Sequence, residues 1–130
     1  MEFKVLVLAA GKGTRFKSEL PKVLHKILGK PMLWYVLKSA KESGASEVVV
    51  VVGHGREMVE EFLKEEFPEV KVAVQKEQLG TGHAVLSAEE SLRNYNGKVV
   101  VLNGDMPLVR SEDIRRVAET EGDMVVLSST

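Results

Sequence analysis

Five consecutive valines occupy positions 48–52 of this 130-residue chain. An uninterrupted β-branched run of this kind is typical of a strand buried on both faces, as in a parallel sheet covered by helices. Together with other apolar runs, it predicts strands at residues 4–8, 47–52, 71–74, 98–102 and 123–127. Because helical patterns separate these runs, the order of elements predicts an α/β fold with a doubly wound, mostly parallel, Rossmann-like sheet.

Four helices are predicted between the strands, from apolar residues spaced three and four positions apart. Their apolar faces are Met32, Leu33, Val36, Leu37 and Ala40, ending at Gly44; Met58, Val59, Phe62 and Leu63, ending before Pro68; Ala84, Val85, Ala88 and Leu92, with Thr81 as N-cap; and Ile114, Val117 and Ala118, with Ser111 as N-cap. We expect these faces to form the core and to carry no chemistry.

Composition narrows the possible functions. The length allows at most one domain, and the net charge of −1 gives no electrostatic case for a nucleic-acid or anionic-membrane partner. Cysteine is absent, which excludes disulfides, thiolate nucleophiles and cysteine zinc sites. The first residues predict a strand rather than a signal peptide, and no apolar run approaches a membrane span. We therefore expect a cytoplasmic protein.

A glycine-rich loop follows the first strand, in the sequence VLVLAAGKGTR at residues 5–15. Small residues let a backbone approach a ligand closely, and successive N–H groups in such a loop form an anion-binding concavity. Arg15 and Lys22 add two cations beside it, and both residue types bind phosphate. This pattern predicts a nucleotide-phosphate loop that includes Gly11, Gly13 and Thr14. Lys12 can contact either phosphate or solvent.

Two better-known phosphate loops are excluded by spacing. No window supplies the G-x-x-x-x-G-K-[ST] of a Walker A loop. The dinucleotide fingerprint needs a third glycine where Phe16 stands, and it needs an acidic residue at the end of the second strand. That strand is followed by Gly53 and His54 instead.

Three segments are predicted to meet at one rim of the sheet. The glycine-rich loop, residues 75–81 and residues 103–105 each follow a predicted strand. Ligands of doubly wound sheets bind beyond the carboxyl ends of the strands, so these segments are expected to open onto the same site.

Four motifs follow one another along most of the chain: LAAGKGTR at 8–15, LPKVLH at 20–25, QKEQLGTGHAV at 75–85 and LNGDMPL at 102–108. Together they resemble the uridyltransferase half of the bacterial bifunctional enzymes that make UDP-N-acetylglucosamine, a cell-wall precursor. The resemblance implies that N-acetylglucosamine 1-phosphate attacks UTP, giving UDP-N-acetylglucosamine and pyrophosphate.

Roles for individual residues follow from the chemistry and from the resemblance. Arg15 and Lys22 suit charge neutralisation in phosphoryl-type transfer, and Asp105 suits a Mg²⁺ ligand because magnesium prefers one or two carboxylates. The resemblance places Leu8, Ala9, Ala10, Gly11, Gln75, Gly80 and Thr81 around uridine, with Asn103 and Gly104 on the ribose side and Gln78 in the same loop as Gln75. Relatives often carry an aromatic residue at the position of Asn103, which leaves its contact open.

The resemblance also implies that residues 1–130 are the N-terminal nucleotide-binding portion of a larger transferase domain. The second metal ligand and a C-terminal β-helix acetyltransferase, through which the parent would form a homotrimer, are then expected beyond residue 130. Alternatives are another sugar-phosphate or alcohol-phosphate nucleotidyltransferase, and a non-catalytic nucleotide-binding module.

Simpler interpretations remain for single residues. Arg15 and Lys22 could be solvated cations, Asp105 a turn residue, and Gln75 and Gln78 surface polar residues. The three histidines, His25, His54 and His83, lack the spacing of a metal site.

Overall fold

A parallel five-stranded sheet forms the centre of the molecule. The computed structural model describes residues 3–9, 22–53, 56–74, 98–104, 108–119 and 124–127. In chain order their elements are β1 (Phe3–Ala9), a 3₁₀ turn (Lys22–Leu24), β2 (Lys26–Ile27), β3 (Lys30–Pro31), α1 (Met32–Glu42), β4 (Glu47–Val52), α2 (Arg56–Glu66), β5 (Lys71–Val74), β6 (Lys98–Asn103), α3 (Ser111–Ala118) and β7 (Met124–Leu127).

The strand order in the sheet is β5-β4-β1-β6-β7. The chain therefore builds outward from β1 in one direction, then returns to the other side of β1 and builds outward again. This arrangement confirms the predicted Rossmann-like sheet. The bounds of β4 and β5 are those predicted, whereas β1 extends one residue further at each end and β6 extends one residue further at the carboxyl end. Residue 123, predicted to open β7, lies outside the described residues.

Both faces of the sheet are buried, as the continuous valine run of β4 predicts. Val48, Val50 and Val52 point into one core with the three described helices, while Val49 and Val51 point to the opposite face. A strand with two buried faces has no polar position, which explains the absence of alternation. The third predicted helix, residues 84–92, lies outside the described residues, and so does its predicted N-cap, Thr81.

The first predicted helix is confirmed in detail. The buried residues of α1 are Met32, Leu33, Val36, Leu37 and Ala40. The helix ends at Glu42, and Gly44 follows with a positive φ of 89°. Glycine adopts this left-handed conformation without the steric penalty of a side chain, which is why it terminates the helix here.

Two local predictions for the other helices were wrong. Met58 on α2 is 38 % exposed, because α2 lies over β4 beside the edge strand β5 and buries only a narrow stripe around Val59 and Leu63. Ser111 does not cap α3; the N-cap is Arg110. The Asp113 carboxylate accepts a hydrogen bond from the Arg110 backbone N–H at 3.2 Å, which satisfies that donor from within the first turn.

A short hairpin that the sequence analysis did not predict precedes α1. Strands β2 and β3 pair antiparallel around Leu28 and Gly29, whose φ angles are 51° and 86°. The Tyr35 hydroxyl donates a hydrogen bond to the Ile27 carbonyl at 2.7 Å and ties the hairpin to α1. Two-residue strands carry too little periodicity to be recognised in a sequence. Within the described residues, no helix is long and apolar enough to cross a membrane.

Candidate functional site

The strand order reverses between β1 and β6, and we call the carboxyl end of the seam between these two strands the crevice. Strand β1 has β4 on one side and β6 on the other. Open α/β sheets bind ligands at this kind of switch point. The register places Leu8 beside Asn103, and both strands end within one residue of that pair.

Gly104 closes the base of this crevice. Its N–H donates a hydrogen bond to the Leu8 carbonyl at 2.9 Å, which extends the pairing of β6 with β1 by one residue. A Cβ at Gly104 would lie 2.9 Å from Val23 Cγ1 and 3.1 Å from the Leu8 oxygen. Only a residue without a side chain fits between these atoms, so glycine is required here by close packing.

Lys22 opens the 3₁₀ turn whose next residue packs against Gly104. Val23 and Leu24 are buried in the helical-side core, and Val23 Cγ1 is the atom nearest to the hypothetical Gly104 side chain. The backbone of Lys22 therefore lies one residue from the seam between β1 and β6. Sequence reasoning singled out Lys22 but not Val23, because the relevant contact joins residues about eighty positions apart and leaves no local pattern.

The other predicted loops start from the same edge. Strand β5 ends at Val74, immediately before Gln75, and β1 ends at Ala9, immediately before the glycine-rich loop. Neighbouring strands lie about 4.8 Å apart, so three intervals separate the ends of β5 and β6 by about 14 Å. The prediction that three segments leave the same edge of the sheet is confirmed for the strand ends from which they start.

Of the predicted site residues, the structure describes Leu8, Ala9, the backbone of Lys22, Asn103 and Gly104, and it brings them together around the crevice. Ala9 and Gly104 are buried, while Leu8 and Asn103 are half-buried. The remaining predicted site residues lie outside the described residues: Ala10, Gly11, Gly13, Thr14, Arg15, Gln75, Gln78, Gly80, Thr81 and Asp105.

The described strand ends at this edge are uncharged. Positive charge for binding an anionic ligand must therefore come from the segments that follow the strands, where the sequence supplies Arg15 and Lys22. Across the described ranges, no three His, Asp or Glu side chains are grouped closely enough to hold a metal ion.

Ionised pairs lie instead at the opposite, amino-terminal edge. Glu47 forms ion pairs with Lys71 at 3.0 Å and with Lys4 at 3.3 Å, at the starts of β4, β5 and β1. Partial burial of Glu47 raises its pKa, but hydrogen bonds and charge from Lys71 and Lys4 outweigh the burial, so the pKa lies below its usual value. The two lysines compensate the Glu47 charge, and the ion pairs stabilise the strand starts.

Comparisons with known proteins agree with this architecture. The chain is 54 % identical over 132 residues to the bifunctional protein GlmU of Caldanaerobacter subterraneus subsp. tengcongensis, covering 98 % of this chain and 28 % of the relative. The chain thus spans about a quarter of the length of such relatives. A UDP-glucose pyrophosphorylase complexed with UDP-glucose has 25 % identity and a TM-score of 0.71, over 91 % of this chain and 52 % of that one.

The fold is shared more widely still. Rv0371C of Mycobacterium tuberculosis H37Rv, whose structure contains manganese, has a TM-score of 0.71 at 22 % identity, over 90 % of this chain and 58 % of that one. The model of the MobA-like NTP transferase domain matches residues 5–130, which include every element of the crevice described above. On this match, the chain belongs to the family of MobA-like NTP transferase domains.

Proposed function

We propose that the protein carrying this chain transfers a uridylyl group from UTP to N-acetylglucosamine 1-phosphate, producing UDP-N-acetylglucosamine and pyrophosphate. The observation that carries this proposal is the crevice between β1 and β6, with the glycine-rich segment directly after β1. The 54 % identity to a bifunctional protein GlmU supports the choice of substrates. The remaining length of that relative is not represented in this chain, so the acetyltransferase activity is no part of this proposal.

In the proposed reaction, a phosphate oxygen of the sugar phosphate attacks the α-phosphorus of UTP. A new P–O bond forms, the bond from the α-phosphorus to the bridging oxygen breaks, and the electron pair leaves with pyrophosphate. Such transfers need positioning and charge neutralisation more than a covalent nucleophile. Arg15 and Lys22 are the proposed neutralising groups. The packing of Val23 against Gly104 supports this role for Lys22, because it holds the Lys22 backbone beside the crevice.

Asp105 is the proposed ligand of a Mg²⁺ ion. A carboxylate suits magnesium, which binds protein through one or two carboxylates and keeps phosphate oxygens and waters as its other ligands. Such an ion would supply positive charge that lowers the cost of charge on the leaving group. The hydrogen bond from the Gly104 N–H to the Leu8 carbonyl supports the assignment, because it holds the residue immediately before Asp105 at the base of the crevice. Manganese in one structural neighbour shows that this fold accommodates a divalent ion.

Gln75 is the proposed reader of uracil. Uracil presents an N–H between two carbonyls, and a glutamine side chain supplies both a donor and an acceptor. The end of β5 at Val74 supports the proposal by placing the start of this segment at the same edge as the crevice.

The test is a coupled assay of pyrophosphate release on the whole protein. UTP and N-acetylglucosamine 1-phosphate should give rapid, magnesium-dependent turnover, and glucose 1-phosphate and CTP serve as matched controls for the sugar and the base. In Asp105→Asn, the magnesium concentration for half-maximal rate should rise. Binding of UTP without turnover in the wild-type protein would favour a nucleotide-binding module and contradict the proposal.

A further inference from the structure

The net charge of −1 conceals two surfaces of opposite sign. Residues 22–41, which form the hairpin and most of α1, contain five lysines and no Asp or Glu. Residues 56–69, which form α2 and the turn after it, contain six glutamates against one arginine and one lysine. We call these the hairpin surface and the α2 surface. Lys41 of the first surface forms an ion pair with Glu69 of the second. The remaining charges create local potentials that the total charge does not reveal.

Leu28 at the tip of the hairpin has two features that lower the stability of the isolated molecule. It is 93 % exposed, and its φ of 51° lies in the left-handed region that a leucine side chain disfavours. A two-residue turn with positive φ at both positions is normally occupied by Asn-Gly or Asp-Gly, which adopt it readily. Strain of this kind that persists in a fold points to a functional use. An exposed leucine between Lys26 and Lys30 is suited to inserting into an apolar, acidic recess.

The hairpin is held rigidly enough to act as such a projection. Tyr35 donates its hydroxyl hydrogen bond to the Ile27 carbonyl at 2.7 Å, and the Met32 N–H donates to the His25 carbonyl at 3.0 Å. The ammonium group of Lys30 lies 5.3 Å from the centre of the Trp34 ring. The backbone and one flanking lysine are therefore ordered before any partner binds, which lowers the entropic cost of association.

A recess with the complementary properties lies on the α2 surface. A groove of about 530 Å³ separates α2 from the edge strand β5. Its apolar part includes Phe67 and Val72, and Val72 is 37 % exposed. Glu57, Glu60 and Glu61 line the same groove together with Lys64, so its charged side chains are mainly acidic. Among the described strands, β5 pairs only with β4, so its outer side faces this groove.

We propose that a second copy of this chain docks here, with the hairpin tip of one copy in the α2–β5 groove of the next. Leu28 would contact the exposed Val72, while Lys26 and Lys30 would face the glutamates of the groove. The two patches are different parts of the same surface, so the contact is heterologous and joins copies head to tail. Charge complementarity favours a second copy over an anionic membrane, because this chain supplies the acidic and apolar recess as well as the basic projection.

The decisive experiment uses two variants of the whole protein, each with the charges of one patch reversed. Lys26→Glu/Lys30→Glu reverses the hairpin, and Glu60→Lys/Glu61→Lys reverses the groove. Sedimentation velocity should show association of the wild type at about 0.05 M salt and its loss at about 0.5 M, since exposed charges are screened. Each variant alone should associate about tenfold more weakly, whereas an equimolar mixture of the two should recover association.

The matched control for the hairpin variant is Arg115→Glu/Arg116→Glu on α3. It lowers the net charge by the same amount, on exposed residues of another surface. It should associate like the wild type. A mixture of hairpin and groove variants that associates no more tightly than either variant alone would overturn the proposal. Loss of binding to anionic vesicles in the hairpin variant with self-association unchanged would also overturn it, in favour of a membrane surface.

Leu28→Asn tests the apolar tip without changing charge. Asparagine tolerates the left-handed conformation, so the melting temperature should rise while association weakens. A higher melting temperature with unchanged association would remove Leu28 from the interface and contradict the proposed docking. This variant retains the fold by design, so the result does not depend on whether the charge reversals disturb folding.

Discussion

At the amino-terminal edge of the sheet, Glu47 pairs with Lys4 and Lys71, and the Ser46 N–H donates a hydrogen bond to the Phe3 carbonyl at 2.9 Å. At the carboxyl edge, the same strands end in uncharged residues. The charged groups of the first edge pair with one another, whereas the segments after the second edge carry the residues proposed to bind a ligand. Parallel strands bring all their starts to one edge of the sheet and all their ends to the other. The stabilising ion pairs and the candidate site therefore lie at opposite edges.

The largest effect should come from removing a cation at the carboxyl edge. Lys22→Ala and Arg15→Ala should each lower kcat by about 10²-fold or more and change KM less, because charge grows on the leaving pyrophosphate in the transition state. The measurement is steady-state pyrophosphate release by the whole protein. Lys71→Ala removes a lysine from the amino-terminal edge and should leave kcat close to wild type. An equal loss of kcat in Lys71→Ala would mean that the carboxyl edge has no special part in the reaction.

Gly104→Ala should destabilise the protein by about 1–3 kcal/mol, the usual cost of forcing an extra methyl group into a packed core. Its Cβ would meet Val23 Cγ1 at 2.9 Å. Urea unfolding of the single variants and of Gly104→Ala/Val23→Ala would measure the coupling. The double variant should lose less free energy of unfolding than the sum of the two single losses. Strict additivity would mean that the two residues do not press on each other.

Gln75→Glu should narrow the preference for UTP over CTP by about tenfold, because one hydrogen bond to the base is worth about 1.5 kcal/mol when the site is otherwise intact. The change replaces an amide donor with an acceptor-only carboxylate. The ratio of kcat/KM for the two triphosphates measures the effect. If that ratio is unchanged while both rates fall, Gln75 does not read the base.

Glu47→Gln should have the smallest effect, a loss of less than about 1 kcal/mol in the free energy of unfolding at pH 7 with kcat unchanged. The pKa of Glu47 is lowered in the folded state, so its contribution is present above its unfolded pKa and is lost as pH falls through the folded value. The difference between wild type and variant, measured by urea unfolding, should therefore vanish in acid. Glu65→Gln, on an exposed position of α2, is the matched control and should change stability little.

Much of the fold could be predicted from local patterns. The valine run of β4 and the five buried residues of α1 follow from periodicity, because a strand or helix repeats its contact with the core at a constant interval. The prediction that Met58 is buried failed because periodicity does not show where an apolar stripe ends. Met58 lies at the margin of an apolar stripe, and its exposure depends on how close α2 lies to the edge of the sheet.

The candidate site divides in the same way. The motif around residues 8–15 and the placement of three segments after strands were readable from the sequence, because chemistry and element order are local properties. The position of β6 next to β1, the fit of Gly104 against Val23 and the hairpin beside α1 were not. These depend on which elements become neighbours in space, and packing between residues far apart in the chain decides that. The sequence alone thus determined the elements and the chemical groups, while the tertiary structure alone determined which of them meet.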